Sequence, residues 1–149
     1  VSEAGPWWAG GLRFSCTQCG NCCSGPPGAV WIDDAEATAI AAELGLPLEE
    51  FVEGHTRRVG PRRTLRERRS EFGHDCVFLD RSEPGKATCR IYRARPRQCR
   101  TWPFWPENLE DREAWETTRR RVPCPGMGEG TLHGPVEIRI ALGDGNAAR

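Results

Sequence analysis

Ala37, Ile40, Ala41 and Leu44 repeat at helical spacing and would put one apolar stripe on a helix. Asp33 or Asp34 serves as its N-cap, and Gly45 stops it. The apolar run Ala29-Val30-Trp31-Ile32 just before it predicts a short strand. Pro47 opens a second short helix, through Phe51 and Val52 to about His55. Between Arg57 and Arg69 the pattern is polar, and Thr64-Leu65-Arg66 fits either an exposed strand or a loop. Cys76-Val77-Phe78-Leu79 and Ala87-Thr88-Cys89-Arg90-Ile91-Tyr92 predict a hairpin across Arg81-Ser82-Glu83-Pro84-Gly85. Pro96 suits the first turn of a helix carrying Cys99, which Pro103 and Pro106 then interrupt. Residues 109–121 predict a further helix. Residues 1–15 read as an irregular lead-in anchored by Trp7 and Trp8, Cys16 to Gly28 as a turn-rich loop, and 125–149 as a glycine-containing tail.

Composition explains why these segments are short. The 149 residues are 38% hydrophobic and include 17 Gly and 12 Pro, so the apolar core is thin and needs staples. The length suits a single domain over 1–149, with its motifs in 14–130 and a tail over 131–149. No segment approaches the ~20 apolar residues that span a bilayer, and no basic-then-apolar leader precedes a small-residue cleavage site. The expected location is the cytoplasm, with no membrane association.

The net charge is zero, yet unevenly spread. Residues 1–56 hold one base against eight acids, whereas 57–121 hold eighteen bases against ten acids. Pairing of the acidic first third with the basic middle is the expected outcome. The overall neutrality gives no long-range pull towards nucleic acid.

Eight cysteines supply the staples: Cys16, Cys19, Cys22, Cys23, Cys76, Cys89, Cys99 and Cys124. Four of them fall within eight residues. Two-residue spacings are poor disulfide geometry and good chelating geometry. Structural zinc is one reading, with Cys-x2-Cys pairs in tetrahedral thiolate sites. An iron–sulfur cluster is the other, because Cys16-x2-Cys19-x2-Cys22 is the run that wraps one face of a [4Fe–4S] cube. Cys124-Pro125 has the form of a remote ferredoxin ligand. Neighbouring side chains point in different directions, so Cys22 and Cys23 are expected to serve two centres or different irons of one cluster. Two centres of four thiolates are the simplest division.

Other constellations are weaker. Of His55, His74 and His133, His74 lies nearest a cysteine in sequence, yet a surface role is the plainer reading. Nucleophile-elbow, P-loop and dinucleotide fingerprints are absent from the sequence. A helix opening at Pro96 would hold Cys99 in its first turn, where the dipole favours a thiolate, with Arg95 and Arg100 to balance charge. Trp102, Phe104 and Trp105 are expected to cover the thiols as an apolar lid.

Taken in order, Phe14-x-Cys16-x2-Cys19-Gly20-Asn21-Cys22-Cys23, Cys76-Val77-Phe78-Leu79, Cys89-Arg90-Ile91-Tyr92-x2-Arg95-Pro96-x2-Cys99-Arg100, Pro103-Phe104 and Cys124-Pro125-Gly126 carry a resemblance. Over residues 14–130 the chain resembles the YkgJ-type cysteine-cluster family of zinc- or iron-chelating domains, which bear a Cys-x2-Cys-x2-Cys-Cys signature. The resemblance implies metal binding and brings no reaction with it. A related cysteine cluster occurs in flagellin lysine N-methylases.

The resulting expectation is a small, irregular α+β domain of short helices and one hairpin, organised around metal thiolates. All eight cysteines form the ligand set. The cofactor is an iron–sulfur cluster, of [4Fe–4S] type, with zinc as the alternative. The role is redox or cofactor-dependent and served by a protein or redox partner. Two other functions stand beside it: a zinc-stabilised module using the 57–69 arginines on RNA or another polyanion, and a methyltransferase-type enzyme component by family analogy. No catalytic residue is identified.

Overall fold

Asp33 accepts the Glu36 amide at 2.7 Å, and Glu36 accepts the Asp33 amide at 3.0 Å, so a capping box opens α1, Asp34–Leu44. Gly45, at φ 68°, closes it by donating its amide to the carbonyls of Ala41 and Ala42. Ala37, Ile40 and Ala41 are the buried stripe. α2, Leu48–His55, follows Pro47 and buries Phe51 completely. These two helices form as the sequence predicts. The computed structural model describes residues 5–148. The first four residues of the expected lead-in and the last of the expected tail lie outside the described residues.

Small antiparallel sheets fill the rest. β1, Leu12–Phe14, pairs with the last strand, β9, Met127–His133. β2, Trp31–Ile32, lies against β4, Arg62–Leu65, whose other edge takes β3, Thr56–Val59. β5, Glu67–Ser70, pairs with β6, Gly73–Cys76. β7, Leu79–Asp80, pairs with β8, Thr88–Cys89. Three helices, α3 at Arg97–Thr101, α4 at Pro106–Leu109 and α5 at Arg112–Arg121, lead into β9, and α6, Pro135–Ala148, ends the described chain. The architecture is α+β, built of short pieces.

Five expectations need correction. The lead-in contains β1, because Leu12 is buried against Met127 and Ile138. The arginine run is two strands and the start of a third: Thr64 and Leu65 face inward while the arginines point out. The predicted hairpin is shorter than its apolar run, since Cys76 belongs to β6 and only Leu79 and Asp80 reach β8. The helix over 109–121 breaks where Asp111 caps α5 by accepting the Ala114 amide. The tail is a strand and a helix. Pairing with β1 and burial of Met127 and Ile138 override the low strand propensity of Gly128 and Gly130.

The apolar side chains gather in two clusters. One joins Trp8, Leu12, Phe104, Trp115, Met127 and Ile138 with Cys124. The other joins Ile32, Ile40, Phe51, Leu65, Phe78 and Ile91, with Cys76 and Cys89 packed against it.

Candidate metal centre

The loop after β1 carries Cys16, Cys19, Cys22 and Cys23. Gln18 (φ 59°) and Gly20 (φ 78°) take left-handed backbone conformations that fold it tightly, and a 3-10 turn, Asn21–Cys23, ends it. At Gly20 a side chain would meet the Ala87 methyl at 2.5 Å, so only glycine lets the loop lie on the β7–β8 hairpin. The Ala87 amide donates to Gln18 O at 2.8 Å. Asn21 Nδ2 donates to Pro123 O at 2.9 Å, which ties the loop to the residue before Cys124. On the far side, the His74 amide donates to Gly25 O at 2.7 Å and Ser24 Oγ donates to Asp75 Oδ1 at 2.5 Å, next to Cys76. Gln98, beside Cys99, donates to Ala29 O and accepts from the Trp31 amide. One loop is thus fastened to all four segments that carry the remote cysteines.

All eight thiols are unpaired. Cys16, Cys22, Cys23, Cys76, Cys89 and Cys99 line a single cleft of about 1080 Å³. Cys19 and Cys124 lie outside it, and Cys124 borders a smaller cavity beside Pro123 and Pro125. Cys22 and Cys23 do not diverge as expected: their sulfurs are 3.8 Å apart. The tight 3-10 turn brings neighbouring side chains together. Among the described residues no three Cys, His, Asp or Glu side chains close on a single point as a finished ion site.

Amide hydrogens surround the sulfurs. The Gln18 amide donates to Cys16 Sγ at 3.3 Å and the Asn21 amide to Cys19 Sγ at 3.5 Å. The amides of Phe78 and Ile91 act in the same way on Cys76 and Cys89, as do those of Gly126 and Met127 on Cys124. Trp102 Nε1 is buried without another partner and lies beside Cys124, where it favours the thiolate. Such donors stabilise negative sulfur.

Burial opposes them. It pushes the Cys76 thiol up to about 12 and raises Cys89 and Cys124. Cys99 lies well above the usual thiol range, first through burial and then through Cys23, Cys76 and Cys89. The expected helix-dipole activation of Cys99 is therefore overridden, and Arg95 offsets only part of the cost. The Cys22 contact raises Cys23 furthest, with burial second. Thiols with amide donors in place and only Arg95 to offset part of their burial are the donor set of a soft cation. The residues fit a metal or cluster.

A family model described as "CxxCxxCC: Putative zinc- or iron-chelating domain" matches residues 15–125. The chain belongs to that family. Membership makes it a zinc- or iron-chelating domain, in agreement with the resemblance carried by the motifs. No solved structure matches the chain.

Several residues of this CxxCxxCC domain escape sequence reasoning. Gly20-Asn21 reads as a turn, yet Asn21 is the link to the Cys124 segment. Asp75, 1% exposed and paired to Arg81 at 2.8 Å, draws no reading from the sequence and is a buried anchor for the Cys76 strand. Its proximity in sequence to Cys76 was the only signal. Trp102 and Trp105 reach the cleft wall as the expected lid, whereas Phe104 turns into the terminal core and stacks on Trp115 at 6.1 Å. His74 lines the cleft, His55 stacks against both Phe51 and Phe78, and His133 is held by Glu137 and Phe14 O.

Proposed function

We propose that this domain carries an iron–sulfur cluster of [4Fe–4S] type, held by thiolates drawn from all eight cysteines, and serves as a redox component. The observation that carries the reading is that six thiols stand around a cleft of about 1080 Å³ while no three close on one point. A zinc ion draws its sulfurs to bonds of ~2.3 Å around one point, whereas a multi-atom cluster is held by thiols spread more widely. The evenly spaced Cys16, Cys19 and Cys22, with amides on the first two sulfurs, support the same reading. A cluster supplies one-electron transfer. This chain's residues would orient the thiolates, and Trp102 and Trp105 would limit water on one wall.

Eight unpaired thiols fit a reducing compartment, the cytoplasm. Among the described residues no helix is long and apolar enough to cross a membrane. The partner we infer is a redox protein rather than a nucleic acid. Arginines of the basic run are engaged within the fold: Arg66 donates to Thr56 O and Glu53 O, Arg68 to Leu79 O, and Arg62 lies 4.1 Å over the Trp31 ring. Of the expected pairing with the acidic first third, the described residues show side-chain ion pairs of Arg97 with Asp33 and Glu36.

One observation favours zinc. The 3.8 Å contact of Cys22 and Cys23 suits two sulfurs on one tetrahedral ion. Anaerobic purification with iron, acid-labile sulfide and zinc analysis separates the readings. The expected protein is coloured, and Cys19→Ser lowers iron and sulfide together. A colourless protein that keeps stoichiometric zinc despite ample iron overturns the cluster.

A further inference from the structure

The hydrogen bonds around the cysteine loop divide at one peptide bond, the one joining Cys22 to Cys23. Upstream of it, the loop leans on the C-terminal segment. Phe14 pairs with Met127 in the β1–β9 ladder, and the Ser15 amide donates to Gly126 O at 3.3 Å. Gly126 has no room for a side chain, because Ser15 O lies against its Cα. Asn21 completes the tie through Pro123 O. The segment that carries Cys16, Cys19 and Cys22 is therefore fastened to that of Cys124, while Cys16 and Cys22 also face the cleft lined by Cys23, Cys76, Cys89 and Cys99. Downstream, ties run to the segments of the other remote cysteines, and Gly28 and Val30 add ties to Glu67 and Thr64. Ser24 and Gly25 hold Asp75 and His74 on the Cys76 strand, and Ala29 and Trp31 hold Gln98 next to Cys99. Cys89 joins this side through the ladder, where it faces Leu79, and the Arg90 amide donates to Phe78 O at 2.9 Å. Cross-ties among the described residues are Ala87 to Gln18, the Cys23 amide to Gly20 O within the 3-10 turn, and Trp102 to Cys124.

The two sides also belong to different cores. Cys124 is part of the terminal cluster, whereas Cys76 and Cys89 pack against the other. Cys22 is exposed and Cys23 is not, so the vicinal sulfurs meet at the boundary of the two groups.

We infer that the chain holds two four-thiolate metal centres side by side: Cys16, Cys19, Cys22 and Cys124 in one, and Cys23, Cys76, Cys89 and Cys99 in the other. This rests on the metal-binding reading above and specifies how its ligands are shared. Each centre is an iron–sulfur cluster if that reading holds. The vicinal pair then joins two redox centres through sulfurs in contact, which is the arrangement for exchanging electrons between them.

Staged removal of metal from the wild-type holoprotein by a chelator, with alkylation and mass mapping of each exposed thiol, tests the division directly. The expected result is two groups of four, composed as stated, released at different chelator doses or rates. Release of all eight together, or in any other grouping, overturns the inference. Variants give a second measure. Cys16→Ser should lose about half the bound metal and keep the rest on the Cys23 group, and Cys89→Ser the reverse. In the reduced protein, magnetic coupling between two clusters should vanish in either variant and leave a single-cluster signal. Parallel loss of the same metal in Cys22→Ser and Cys23→Ser would show one shared centre and refute the division. Zinc without sulfide, still released in the two stated groups, would refute the iron–sulfur reading and leave the division standing.

Discussion

Gly20 and Asp75 act on the thiols without touching a metal. At Gly20 an alanine meets two obstacles. Its backbone stays at φ 78°, which costs an L-residue roughly 1–2 kcal/mol. Its methyl also lies 2.5 Å from that of Ala87, so the loop must lift from the β7–β8 hairpin. Gly20→Ala should therefore lower metal content and stability together, whereas Gly85→Ala, where no atom crowds a Cβ, should keep its metal. Equal metal content in the two variants, read by elemental analysis, would contradict this. Asp75 is nearly inaccessible and receives two guanidinium hydrogen bonds from Arg81 and one from Ser24. Breaking a pair so buried costs on the order of 3 kcal/mol. Asp75→Ala should show that loss in denaturant unfolding of the holoprotein, and a variant within 0.5 kcal/mol of wild type, roughly the effect of an ordinary surface change, would show the pair to be dispensable.

At the scale of elements, what the sequence made legible was whatever local chemistry decides. Asp33, Glu36 and Gly45 mark both ends of α1 by hydrogen bonds made within a few residues, and the structure repeats them. Pro96 likewise opens α3 with Cys99 in its first turn. Where partners are remote the reading failed. Pro125-Gly126 is the turn its composition suggests, yet Met127, Gly128 and Gly130 belong to β9 because Phe14 lies opposite Met127, more than a hundred residues away. The cysteines announced metal through their spacing. A four-and-four division was legible as a count, but its membership was not, since Asn21–Pro123 and Ser24–Asp75 are long-range contacts. α1 also bears on the site. Arg97 donates to Asp33 at 2.6 Å, and its amide donates to Glu36 at 2.7 Å, two residues before Cys99. Asp33→Ala removes the cap and this link, at a cost of about 1 kcal/mol. The Glu36 amide, and then Arg97, hold the Asp33 carboxyl below its ordinary value near 3.8. Its contribution is therefore complete above that value and lost as pH falls through the lower folded-state value. The stability gap between wild type and Asp33→Ala should be constant at neutral pH and close in acid. A gap that widens in acid would have the wrong sign.

Across the whole molecule, two small apolar clusters share one cysteine loop. Neither is large: the terminal one is built from eight buried residues including Cys124, and the other also from eight. The chain between them is rich in turns, with 29 Gly and Pro among 149 residues and sheets of two or three strands. Such cores do not outweigh chain entropy by much, and here they bury thiols whose ionised form burial opposes. A bound cation reverses that term, because it pairs with thiolates contributed by both clusters. Metal-binding free energy then becomes folding free energy, which for structural zinc peptides reaches about 10 kcal/mol or more. Stripping metal anaerobically should remove the cooperative thermal transition, not merely shift it. If the two clusters are held by separate centres, a half-loaded protein should melt in two stages, with amide exchange rising first in one cluster. Residues around Met127 and Ile138 should lose protection when the Cys16 group is emptied, and those around Phe51 and Phe78 when the Cys23 group is emptied. An apo-protein with the same cooperative melting temperature as the holoprotein would show that the apolar clusters hold the fold by themselves. The thiols would then be a passenger site on a scaffold already stable.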